Sequence, residues 1–101
     1  MKYNETSTLV KAWAEDKQLL DENNALKQFQ KLMEEANEVF LELLTGDNEA
    51  LKLEVGDLMI ATNILCAVKG LDPEECFEKS YHKIKNRKGK TVDGRFLKET
   101  V

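Results

Sequence analysis

The chain has 101 residues, 42% of them hydrophobic, with one Pro, five Gly and a formal net charge of −4. That suits a single helical globular domain with a modest core and excludes a disordered chain. The negative balance argues against a general nucleic-acid or membrane-surface binder, so no nucleic-acid or membrane partner is expected. The longest apolar run, Leu58–Val68, is broken by Thr62 and Asn63 and is too short to span a bilayer. The opening MKYNETSTL has no apolar h-region, so the expected location is cytoplasmic. Cys66 and Cys76 form no CxxC and have no His/Cys ligand cluster beside them, which predicts reduced, core-type thiols.

Residues 7–21 read as a first helix, with Ser7 or Thr8 as the cap and Leu9, Ala12, Trp13 and Leu20 at helical spacing. Trp13 could stack on a base, but a lone Trp on such a face is expected in the core. Asp21-Glu22-Asn23-Asn24 breaks the pattern, and Asn24 is placed to cap a second helix over about residues 25–44. Leu26, Phe29, Leu32, Met33, Ala36, Val39, Phe40 and Leu43 give that helix a broad apolar face. Glu34, Glu35, Glu38 and Glu42 fall on its edge and back, which taken alone is a solvated face.

Thr45-Gly46-Asp47-Asn48 is the turn of a helical hairpin, and a third helix follows over about residues 49–69. At about 100° per residue its clearly polar stripe is Lys52, Gly56 and Asn63. Glu54 and Asp57 project from the opposite side, among Leu53, Leu58, Ala61, Ile64, Leu65 and Val68. An ionised carboxylate set among aliphatic side chains must be paired, ligated or protonated. Being apolar nearly all round, this helix should be central in a bundle or lie in an oligomer interface.

Gly70 ends the third helix, and Asp72-Pro73-Glu74-Glu75 starts a fourth with a cap, Pro at its first position and a capping-box Glu. Phe77, Tyr81 and Ile84 should face inward, with Lys79, Lys83 and Arg87 along another face. Lys83 and Arg87 are four apart, a spacing that lets both reach one phosphate. His82 is expected on the surface. The segment RKGKTVDGRFLKE alternates about Asp93-Gly94, a type I′ hairpin signal, and such a hairpin needs support from the bundle or a neighbouring subunit. No second domain is visible, so residues 1–101 read as one.

The hairpin between helices two and three concentrates charge. Residues 34–57 hold eight acids (Glu34, Glu35, Glu38, Glu42, Asp47, Glu49, Glu54 and Asp57) against Lys52 alone. Glu38 and Glu54 lie seven residues either side of the turn, and Glu35 and Asp57 lie ten. Antiparallel helices then bring the four together roughly 10–15 Å from the turn. Such a box repels itself unless a cation fills it, and four carboxylates without a histidine select Mg²⁺, with Mn²⁺ as a substitute. Residues 79–98 carry eight Lys or Arg against Asp93 alone, which suits a ligand of metal and phosphate but also plain charge balance within the chain, the reading that charge alone favours. No Walker-type loop or dinucleotide fingerprint is present.

EExxE at Glu34, Glu35 and Glu38, followed by ExxD at Glu54 and Asp57, resembles the MazG-type all-α nucleoside triphosphate pyrophosphohydrolases. The ending IKNRKGKTVDGRFLKE is similar to small, single-domain, phage-like members. The resemblance implies a four-helix core, here with a short C-terminal β-hairpin, assembled as a homodimer or homotetramer. It implies Mg²⁺-dependent hydrolysis of a nucleoside triphosphate to the monophosphate and pyrophosphate. It makes Glu35, Glu38, Glu54 and Asp57 metal ligands, with Glu34 in support or activating water and Glu38 sharing the catalytic role. Lys83 and Arg87 match phosphate-binding positions, and Lys79, Asn86 and Lys88 are weaker candidates. Phosphoribosyl-ATP or dUTP hydrolysis, and a non-catalytic oligomerisation or regulatory module, are the alternatives. No motif marks the base pocket.

Overall fold

The computed structural model describes residues 1–99; Thr100 and Val101, the last two of the expected domain, lie outside it. Four helices are present: α1 (Tyr3–Asp16), α2 (Ala25–Thr45), α3 (Asn48–Val68) and α4 (Pro73–Ile84). A single 3₁₀ turn (Glu22–Asn24) precedes α2, and β1 (Gly89–Val92) pairs antiparallel with β2 (Arg95–Lys98) after α4.

The α2–α3 hairpin carries most of the packing. Gly46 closes α2 in the left-handed conformation (φ 76°), and its N–H bonds the Glu42 carbonyl. Asp47 then caps α3, its carboxylate accepting from the N–H groups of Glu49 (3.0 Å) and Ala50 (3.2 Å). Stop and start signals thus meet in two residues, which forces the helices back along each other. At the far end of α3, Gly70 (φ 69°) and the Leu71 N–H to Cys66 carbonyl bond (2.8 Å) complete the expected C-terminal motif. Asp72 caps α4 through the Glu74 N–H (3.0 Å). Positive φ at both Asp93 (50°) and Gly94 (77°) makes the β-turn type I′, as its residues dictate.

α3 is central, meeting α1, α2 and α4. The small core of Ala14, Ile64 and Val68 lies where α1 crosses it, with Val10, Leu19, Leu20 and Ala25 packed around.

Several expectations need correction. α1 begins at Tyr3 rather than Ser7, and Lys2 caps it without a side-chain bond. Ser7, inside the helix, donates its hydroxyl to Asn63 Oδ1 instead. The supposed polar stripe of α3 is therefore an interface: Asn63 is buried, with its amide donating to Met59 O (2.8 Å) and Tyr3 Oη (3.3 Å). Trp13 is half exposed rather than core. Asn24 precedes α2 without capping it by side chain and donates to the Leu19 carbonyl (3.1 Å). α4 stops at Ile84, so Arg87 follows the helix in a turn. Phe77, Tyr81 and Ile84 are exposed, because α4 touches α3 only sparsely and no other described element packs closely against that face. Cys66 is buried and Cys76 exposed; burial, with Cys76 next in effect, pushes the Cys66 thiol up.

The two helix-hairpin glycines should respond oppositely to substitution. Gly46→Ala puts a Cβ on a left-handed residue and should destabilise by about 1 kcal/mol. Gly56→Ala, inside α3 with open space at its Cβ position, should stabilise by about 1 kcal/mol. Denaturant melts of the two variants beside the parent check both signs.

Candidate metal centre and nucleotide cleft

The hairpin register delivers Glu35 from α2 to Glu54 and Asp57, one turn apart on α3. Each of the three offers a carboxylate oxygen within 4.8 Å of the others. Glu38, one turn nearer the hairpin on α2, lies outside that tightest group, but its charge still acts on Glu54. Glu54 is half-buried, and its carboxyl is held above the ordinary range. Removal from water is the main cause, followed by the charges of Asp57, Glu38, Glu35 and Glu42. Five acids therefore share one field, and Glu54 carries its effect.

Lys31, which sequence reasoning passed over, provides the one counter-charge. Its ammonium sits 3.1 Å from Glu35 Oε1 and 3.7 Å from Glu34 Oε2. The pair is lopsided: the Lys31 side chain is 56% exposed and that of Glu35 only 13%. The hydrogen bond and charge of Glu35 raise the Lys31 pKa, so the ammonium stands where a cation is favoured. The signal was in the chain, since Lys31 precedes Glu34 by three residues and Glu35 by four. Glu34 faces Lys31 along α2.

The remaining predicted residues lie elsewhere. Lys79 pairs with Glu75 (3.7 Å) along α4. Lys83 ends α4, while Asn86, Arg87 and Lys88 follow it; none of Lys83, Arg87 and Lys88 has an ion pair among the described residues. One cleft does adjoin the carboxylates. It holds about 490 Å³ and runs from Glu35 and Asp57 past Ile60 and Ile64 to Gln28 and Trp13.

Hard oxygen donors converging on one point, in a setting that already attracts an ammonium, fit a divalent cation such as Mg²⁺. That defines the class: a helical domain with a carboxylate cluster of the kind that can take a cation. Residues 23–92 match the MazG nucleotide pyrophosphohydrolase domain, and the chain belongs to that family. Comparison with curated proteins and with solved structures gave no significant match.

The raised Glu54 carboxyl fixes the sign of a pH effect. Between its ordinary value of 4.5 and its raised one, the folded protein binds more protons than the unfolded chain. Stability therefore falls as pH rises through that window, and the repulsion is fully present above it. Cation binding should relieve it, so the rise in Tm on adding Mg²⁺ should be larger at about pH 7.5 than near pH 5. Glu54→Gln should raise the metal-free Tm at neutral pH and shrink the Mg²⁺ increment. Thermal melts of both proteins at the two pH values, with and without Mg²⁺, measure this.

Proposed function

We propose that this chain is a Mg²⁺-dependent nucleoside triphosphate pyrophosphohydrolase, cleaving (d)NTP to (d)NMP and pyrophosphate. The observation that carries the reading is the convergence of Glu35, Glu54 and Asp57 inside a MazG domain. These three, with Glu38 as the fourth, would hold the cation, and Mn²⁺ is an acceptable substitute. When bound, Mg²⁺ neutralises phosphate charge and polarises the phosphoryl oxygens.

The chain's own groups supply the rest. Water attacks one phosphorus of the α–β anhydride, a new P–O bond forms as the bridging P–O bond breaks and pyrophosphate leaves, and the water proton passes to a carboxylate with an oxygen left free by the cation. Glu34 suits that role, because its side chain is 69% exposed and so within reach of solvent water. Glu38 can share it. Lys83 and Arg87 are the proposed phosphate contacts, with Lys79, Asn86 and Lys88 in reserve. Lys31 holds Glu35 in place through its ion pair until cation and phosphate arrive.

The functional unit is a homodimer or homotetramer. Among the described residues no large side chain is fully buried, while Leu44, Leu53 and Phe77 are at least 70% exposed. An apolar face of that extent on α2, α3 and α4 calls for a second copy. No described helix is long and apolar enough to cross a membrane, which agrees with the proposed cytoplasmic location.

Product analysis with each NTP and dNTP plus Mg²⁺ tests the reaction. The expected result is monophosphate and pyrophosphate in equal amounts, lost with EDTA and lowered at least about 100-fold in Asp57→Asn. Orthophosphate and diphosphate would move the attack to the γ-phosphate. Turnover of dUTP or phosphoribosyl-ATP alone would name a specialist, and no turnover would leave a binding module. Sedimentation should give twice or four times the chain mass of 11.6 kDa.

A further inference from the structure

We infer that Cys66 and Cys76 are a dithiol–disulfide pair, an oxidation site that ties α4 to the end of α3 when it closes. Neither thiol belongs to the carboxylate group. Cys66 lies nine residues beyond Asp57 on α3, roughly 13 Å along the axis, so the pair needs no cation or nucleotide to react.

The corner between the two helices brings the thiols together. Only four residues, Lys69 to Asp72, separate the last turn of α3 from the first turn of α4, and Cys66 and Cys76 occupy those turns. Both are anchored through their backbones. The Cys66 carbonyl accepts from the N–H groups of Lys69 (3.1 Å) and Leu71 (2.8 Å), and the Cys76 N–H donates to the Asp72 carbonyl (3.0 Å). The side chains meet across the corner, where Cys76 acts on the Cys66 thiol by charge and by hydrogen bonding. Thiols so placed need a side-chain adjustment rather than a rebuilt corner to reach bonding distance.

Their surroundings give the two sulfurs different tasks. Cys66 is 9% exposed, and burial pushes its thiol up, so it stays protonated and meets a dissolved oxidant slowly. Cys76 is exposed and takes the first step. Its thiolate attacks one oxygen of hydrogen peroxide, the O–O bond breaks, and a sulfenic acid forms as the first water leaves. The Cys66 thiol then loses its proton and attacks the sulfenic sulfur. The S–S bond forms, the S–O bond breaks and a second water leaves, so two thiols give two electrons and two protons to one peroxide. An external thiol reverses the bond, as a reducing compartment requires. The tie acts where the fold is held least, because α4 touches α3 only sparsely and Lys83 and Arg87 lie at and beyond its far end.

The test treats the reduced full chain with stoichiometric hydrogen peroxide and follows intact mass, free thiols and Tm. The expected product is a chain lighter by two hydrogens, with no free thiol and a digest peptide joining Cys66 to Cys76. Its Tm should rise by roughly 10 °C, since the bond closes a short loop in the unfolded chain, and dithiothreitol should restore the parent value. Cys76→Ser should match the reduced parent in Tm and lose both the mass change and the oxidised rise. Cys66→Ala should stop at a Cys76 sulfenic acid that dimedone traps. The parent digest and Cys76→Ser decide the question even where Cys66→Ala fails to fold. Chains linked Cys76 to Cys76 on a non-reducing gel, or sulfinic acid on Cys76 with Cys66 still free, would overturn the pair. An intrachain disulfide that leaves Tm unmoved would overturn the tie between the helices.

Discussion

Like-charge repulsion across the α2–α3 hairpin is the constraint on which the rest of this molecule depends. A reversal of only two residues, Gly46 and Asp47, leaves the helices no freedom to slide, so Glu35 must face Glu54 and Asp57. The hairpin is held by apolar packing that is indifferent to charge, and that packing carries the carboxylates into a half-buried place. Metal-free, the protein tolerates this by lending Lys31 to Glu35 and by holding the Glu54 carboxyl above its ordinary range. A site that must be neutralised to be comfortable is a site disposed to bind a cation.

The position of α3 explains how so small a core supports that strain. One face of α3 takes α1 through the Ser7–Asn63–Tyr3 hydrogen-bond cluster, and another takes α2 through Gln28 and Ala61. Polar groups that would be costly alone are satisfied, and they fix the relative placement of three helices more sharply than aliphatic contact would. The same arrangement leaves α4 and the C-terminal hairpin at the margin. The Cα radius of gyration, 16.1 Å, exceeds the roughly 13 Å of a compact domain of this length. The exposed apolar side chains on α2, α3 and α4 belong to that extended shape, and an assembly of copies is the economical way to cover them.

Three zones stand out on this frame: the carboxylates at the middle of the hairpin, an apolar cleft with Trp13 and Gln28 at its open end, and a basic stretch after α4. The first two zones share walls, because Glu35 and Asp57 line the cleft. The third rests on a helix that touches α3 only sparsely.

Much of this was determined by the sequence alone. Gly46, Asp47, Gly70, Asp72-Pro73 and Asp93-Gly94 act through their own backbone preferences and one or two neighbours, so the hairpins and their caps were legible without a fold. Counting from the turn brought the acidic residues to one level for the same reason: helical rise is a local constant. What only the tertiary structure decided depends on which face meets which neighbour. Asn63 read as solvent-facing until α1 covered it, and Trp13 read as core although no element encloses it. Lys31 became the counter-ion of Glu35, and Gln28 a buried amide with one free acceptor, only once α2 lay on α3. Periodicity fixes the direction of a side chain from its own helix axis. The partner that waits there is set by long-range packing, and a single helix carries no record of it.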